Sequence, residues 1–198
     1  MMAPRVMSGL MTPRFCASAM KSLSAHCRVM HPWFEGHIAG GDAARIRVVV
    51  GLLFTYVGVP CVYYGDEIGM TARDSLEARN PMIWDSDEWE ESLRSFYKRL
   101  IRLRRSSPAL LEGGFQILLA EQDHLAFLRD TDVEQILVIG NRGPGERPAQ
   151  ELFVRAGGIP DGSTFTEIFS GQTLTVQGGH LPLPALPVGI QIWQSGNP

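Results

Sequence analysis

Three kinds of hydrophobic pattern follow one another along the chain. In "GGDAARIRVVVGLLFTYVG" the apolar residues Ile46, Val49, Val50, Leu53 and Phe54 recur at helical spacing behind Asp42, a residue suited to an N-cap. The other face of this segment is apolar as well, so the pattern predicts a helix over 42–57 that is buried on much of its surface, with Gly58 and Pro60 ending it. The next run, "PCVYY", is β-branched and aromatic between turn residues and reads as a fully buried strand over 60–64. A helix feeding a buried strand indicates an α/β layer.

The second pattern lies in "DEWEESLRSFYKRLIRLRRSSPALLEGG". Asp87 followed by Glu90 has the spacing of a capping box, and Leu93, Phe96, Tyr97, Leu100, Ile101 and Leu103 form an amphipathic stripe, predicting a helix over 87–106. Carboxylates lead it and arginines close it, the order the helix macrodipole favours. Pro108 marks its exit and Gly113-Gly114 a link to a region of a different type. From there the pattern has period two: "FQILLA", "HLAFLRD", "EQILVIGN", "ELFVRA", "TFTEIFS", "TLTVQ" and "GIQIWQ" stand between Gly, Pro, Asn and Asp, which predicts an antiparallel β-sandwich over 113–198. "GNRGPGERP" is glycine-rich but has no following helix, so it reads as a hairpin loop rather than a phosphate cradle.

Composition narrows the function classes. A 198-residue chain with 44% hydrophobic residues is globular, and a net charge of −3 gives no electrostatic footprint for nucleic acid or an anionic membrane. No apolar run approaches the roughly 18 residues of a membrane span. Cys16, Cys27 and Cys61 are odd in number and lack metal-ligand spacing, so neither a disulfide framework nor a metal site is expected, and a reducing cytoplasm fits. No cofactor motif is present. Residues 1–34 differ from the rest: six of the 8 methionines lie there, with Arg5, Arg14, Lys21 and Arg28 and no carboxylate. They read as an atypical leader, for which disorder is one expectation; the composition is similar to a transit peptide, but a leader foreign to the fold is the favoured reading.

Three stretches in order, "LLFTYVGVPCVYYGDEIGM", "RNPMIWD" and "FYKRLIRLRRSSPALLEGG", resemble the C-terminal third of the α-amylase superfamily, glycoside hydrolase family 13, with spacing closest to maltodextrin glucosidases, neopullulanases and related α-glucosidases. The resemblance runs from about Gly40 to Trp193. It implies the last part of a (β/α)8 barrel over 35–112, with 42–57 as the seventh helix, 60–64 as the eighth strand and 87–106 as the eighth helix, then a C-terminal β-sandwich. The fold class expected is therefore α/β plus all-β. Residues 64–67 would lie at the C-terminal end of a barrel strand, the face on which barrel enzymes place their chemistry.

The same resemblance implies a retaining glycosidase acting on α-glucan or maltodextrin, which needs two carboxylates about 5–5.5 Å apart across the scissile bond. In that family they stand on the fourth and fifth barrel strands, which this sequence does not contain. A further family carboxylate has its nearest counterpart in "MHPWF", 30–34, where the Asp-Thr is absent, so no catalytic residue is assigned. Asp66 and Glu67, read as neighbours on an extended segment, point opposite ways and are expected to bond loop amides or arginines rather than flank a bond. Tyr64, Arg79, Met82 and Trp84 are the substrate-binding candidates the resemblance implies; a salt-bridged arginine and a core tryptophan are the plainer alternative. Aromatic faces and forked donors suit pyranose rings, which present C–H patches and hydroxyls together. Trp89 and Trp193 are expected to pack, and the five histidines do not cluster. Two functions stand: the C-terminal piece of an α-glucosidase that is inactive alone, or a non-catalytic carbohydrate-binding or interaction module. Self-association through exposed barrel surface is expected of the first.

Overall fold

The computed structural model describes residues 28–30, 42–72 and 79–195; the leader and the "MHPWF" segment lie outside the described residues apart from 28–30. Helix α1, Ala43–Thr55, starts where the sequence placed it: the Asp42 carboxylate accepts from the amides of Ala44 at 2.9 Å and Arg45 at 3.5 Å. It ends two residues earlier than expected, with Tyr56 already extended at φ −73° and ψ 167°. Strand β2, Pro60–Val62, follows, and it pairs in parallel with β1, Arg28–Met30, a strand inside the stretch assigned to the leader. The fully buried strand expected here is half-buried, β1 being its partner among the described residues.

The capping box expected at Asp87 and Glu90 does not form. Asp85 instead caps a single 3-10 turn, Ser86–Glu88, accepting from the Asp87 amide at 3.0 Å, and helix α2 spans Glu91–Ser106. Two bonds hold the intervening residues out of the helix: the Trp89 indole donates to the Ile83 carbonyl at 2.9 Å, and the Glu90 amide donates to the Ile68 carbonyl at 3.0 Å. Leu93, Phe96, Tyr97 and Leu100 are the buried stripe of α2, while Ile101 faces out. A short helix α3, Pro108–Glu112, is capped by the Ser107 hydroxyl, with proline at its first position, where its missing N–H costs nothing.

The remaining strands are β3 Gly114–Ala120, β4 His124–Asp130, β5 Gln135–Asn141, β6 Gln150–Phe153, β7 Thr164–Glu167, β8 Thr173–Thr175, β9 His180–Leu183 and β10 Gly189–Ser195. Six form one antiparallel sheet in the order β3-β4-β5-β10-β7-β8, and β6 pairs with β9 in a second. The glycine-rich 142–149 stretch is thus no hairpin loop: β5 and β6 belong to different sheets, and the segment crosses between them, held by the Arg147–Leu186 bridge. Strand β9 had no counterpart among the predicted strands, because the prolines in and after "HLPL" read as turn signals.

Period two appears as two buried faces rather than one. Leu125, Phe127, Ile136, Val138 and Ile192 pack against Val50, Leu53, Phe54, Tyr97, Leu100 and Leu110 of the helices. On the other face Ala126, Leu128, Leu137, Ile139 and Trp193 pack against Leu152, Leu181 and Leu183 of the small sheet. The centre of β4 and most of β5 are consequently buried at every residue. Helix α1 approaches β10 closely at Gly51, where a Cβ would stand 2.6 Å from Ile190 Cδ1 and that side chain would have to shift.

A buried cation joins the layers. Arg129 on β4 is 2% exposed, and its guanidinium donates to the carbonyls of Gly114 at 2.8 Å, Thr55 at 3.2 Å, Leu110 at 3.1 Å and Gly113 at 3.0 Å. Burial, and next the charge of Arg104, push it below the ordinary arginine value, with Asp130 opposing. Helix C-termini are suitable neighbours for such a charge, because their last carbonyls have no intrahelical donor.

Candidate functional site

Beyond β2 the chain turns through a tight loop built on two glycines. Gly65 takes φ 92° and Gly69 φ 81°, a region that side chains rarely adopt, and between them Asp66–Ile68 form one 3-10 turn. Asp66 and Glu67 are therefore not on an extended segment, as expected, but on a turn whose amides they satisfy. Asp66 Oδ2 accepts from the Tyr63 amide at 3.2 Å and Glu67 Oε2 from the Gly65 amide at 3.0 Å. Asp66 is wholly buried, which suits a structural carboxylate and not one that reaches a bound ligand.

The aromatic residues stand at the rim of this loop. Tyr64 is 40% exposed, its ring 4.5 Å from that of Tyr63, and its hydroxyl donates to the Asn80 carbonyl at 3.0 Å. That bond ties the loop after β2 to the loop carrying the other three candidates. A side-chain hydrogen bond with Tyr63, then desolvation, raises the Tyr64 phenol above its ordinary value. Arg79 is exposed, Met82 is half-buried and Trp84 is 81% exposed. Within this chain Trp84 therefore stands outside the two hydrophobic cores. Trp89 is half-buried and carries Arg94 over its ring at 4.8 Å, and Trp193 is completely buried, so both pack.

Two features of the rim could not be read from the chain. Its lead-in, 54–58, is bonded by arginines 46 or more positions away, Arg104 and Arg129, and nothing in the local pattern of α2 distinguishes Arg104 from its other cations or marks Arg129 on β4 as a partner of α1. The Tyr64–Asn80 bond likewise joins residues that only the loop geometry brings together. Among the described residues no three His, Cys, Asp or Glu side chains gather as a metal-binding group.

Comparison with known proteins fits this geometry. Residues 115–194 match the family model of the neopullulanase-like C-terminal domain. Neopullulanase 2 of Thermoactinomyces vulgaris is 35% identical over 158 residues, 78% of this chain and 26% of that enzyme, and the cyclomaltodextrinase of a Bacillus species is 40% identical over 105 residues, 52% of this chain and 19% of that enzyme. Among solved structures, Ttha1563 from Thermus thermophilus superposes with a TM-score of 0.69 at 32% identity, covering 84% of this chain and 34% of that one. The α-amylase of Geobacillus thermoleovorans, solved in complex with acarbose, superposes with a TM-score of 0.68 over 78% of this chain and 33% of that one; at 19% identity it supports the fold alone. The chain thus spans about a quarter or less of the curated relatives named here. Helices α1 and α2 align with the end of the catalytic domain and the strands after them with the C-terminal domain, so the chain corresponds to the C-terminal region of the glycoside hydrolase family 13 enzymes of the neopullulanase, cyclomaltodextrinase and maltogenic amylase group.

Proposed function

We propose that the chain serves an α-glucan-hydrolysing glycosidase of the maltodextrin and α-glucosidase type, retaining in mechanism, as the part that closes the sugar-facing rim, and that it turns over no substrate alone. The observation that carries this reading is the rim itself: Trp84, 81% exposed, stands in a loop bonded to Tyr64 at the C-terminal end of a parallel strand pair. An exposed indole presents an apolar face to pyranose C–H groups, Tyr64 and Arg79 offer hydroxyl and guanidinium groups to sugar oxygens, and Met82, half-buried in the same loop, adds apolar surface. The acid and the nucleophile that a retaining hydrolysis requires are not among these residues, so no bond-breaking step is assigned to the chain. A cytoplasmic setting belongs to the same proposal.

The test is titration of the chain with maltotriose, followed through tryptophan indole resonances, beside glucose release measured against a mock preparation. The expected result is a saturable shift of the Trp84 indole that Trp84→Ala abolishes, with no glucose above the mock level. A Trp84 resonance unmoved at saturating sugar would sink the binding role, and turnover lost in Asp66→Asn would sink the inactivity.

A further inference from the structure

Helix α1 ends without any of the usual devices. No basic residue lies in its last turn, its C-cap Tyr56 is extended, and the carbonyls of 54–56 fall where no further helical N–H exists to meet them. Their donors come from elsewhere. Arg104, in the last turn of α2, donates through Nη1 to the Phe54 carbonyl at 3.1 Å and the Tyr56 carbonyl at 3.0 Å, and through Nη2 to the Gly58 carbonyl at 2.6 Å. Arg129 takes the Thr55 carbonyl between them. Burial pushes the Arg104 guanidinium below its ordinary value, a cost these charge-assisted bonds offset.

The three acceptors of Arg104 form the lead-in to the rim. Gly58, at φ 112°, is two residues before β2, and β2 runs directly into Tyr63 and Tyr64. The other end of α2 holds the far side of the same unit, because Glu90, its N-cap, donates its amide to the Ile68 carbonyl of the rim turn. One helix of 16 residues thus grips the strand-and-loop unit before β2 and after it, at points that helical rise puts roughly 20 Å apart along its axis. An extended strand of three residues between two such anchors has little freedom to slide, so the position of the lead-in sets the position of Tyr63 and Tyr64.

We propose that Arg104 is a positioning residue for the rim: its fork fixes 54–58, and through β2 it sets where the Tyr64 ring and the Asp66–Ile68 turn stand. The role of the rim in binding glucan rests on the proposed function; the positioning does not. Arg104 differs in this from Arg129, which bonds α1, α3 and β3 at once and belongs to the whole fold. A lysine at 104 keeps the charge but has no planar fork to span Phe54, Tyr56 and Gly58 together.

Native-state amide exchange separates the two kinds of role. The rim reporters are the Asp66 amide, bonded to the Tyr63 carbonyl, and the Met70 amide, bonded to the Gly65 carbonyl; the fold reporters are Val138 and Ile139 in the centre of β5. In Arg104→Gln and Arg104→Lys the rim amides are expected to exchange about tenfold faster while the β5 amides stay within about twofold of the unaltered chain. The Tyr63 and Tyr64 ring resonances should move together, with the Trp193 indole in the far core unmoved. Rim and β5 amides accelerating in step, or neither accelerating, would overturn the proposal. Should Arg104→Gln fail to fold, Arg104→Lys decides alone. A Trp84 indole indifferent to maltotriose in the unaltered chain would count against the glucan reading, while the exchange pattern judges the positioning independently.

Discussion

Replacing Arg129 by methionine removes a side chain that touches two helices, a strand and the link between them. The substitution fills a similar length without donors, so the four carbonyls of Thr55, Leu110, Gly113 and Gly114 lose their partner in a site only 2% exposed. Stranding a buried acceptor costs about 1–3 kcal/mol each, and the site's partial access to relaxation puts these four near the lower end, about 4–5 kcal/mol together. Relief from burying a cation returns part of this, about 1–2 kcal/mol, since buried ions are often no more stabilising than apolar groups of equal size. The expected net loss is about 2–4 kcal/mol, a large fraction of the roughly 5–15 kcal/mol by which domains are stable. Urea unfolding followed by tryptophan fluorescence reads it as a lower midpoint at unchanged slope. Arg129→Lys should recover less than half, because one ammonium does not reach carbonyls on α1, α3 and β3 together. A midpoint for Arg129→Met within about 0.5 kcal/mol of the unaltered chain, or higher, would refute the argument that these carbonyls depend on the guanidinium.

Other expectations are more local. Gly65→Ala places a Cβ 2.5 Å from Met70 Sδ at φ 92°, and should cost about 1–3 kcal/mol, read as a lowered melting temperature with loss of the Tyr63–Tyr64 ring signature. The Glu90 carboxyl is held below the ordinary glutamate value, first by the Ser92 hydroxyl, so its contribution is present above the unfolded-state value and is lost as pH falls through the folded one; a carboxyl titration should show the midpoint rising in Ser92→Ala. Trp193→Ala empties the core between the two sheets and should cost about 3–5 kcal/mol in the same urea assay. Residues 113–198 produced alone would expose Leu125, Phe127, Ile136, Val138 and Ile192, and should bind more of an apolar dye than the whole chain does; equal dye binding would show that the helices do not cover that face.

Local chemistry was enough to read much of the architecture. Asp42 before an apolar run specified the start of α1 because its carboxylate meets amides two and three residues away, a purely local geometry. The stripe of α2 and the alternation of β7 were legible for the same reason, each buried side recurring at the period of its element. Local signals failed where a distant partner outbid them. Asp87 and Glu90 have the spacing of a capping box, yet Trp89 and Glu90 are held by the carbonyls of Ile83 and Ile68, and α2 waits until Glu91.

Most of the helical and extended segments were legible in the chain's own pattern, and the family they correspond to in the resemblance carried by three stretches of it. Packing of the layers settled that β4 and β5 are buried on both faces, that β6 leaves its neighbour in sequence to pair with β9, and that Asp66 turns inward while Trp84 stays out. It also settled that Arg104 and Arg129, among 18 cations, hold the end of α1. The physical reason is range: periodicity and capping act within a few residues of the chain, whereas a buried polar group takes whichever donor or acceptor the packed layers bring within hydrogen-bonding distance, and that choice has no trace in the local pattern.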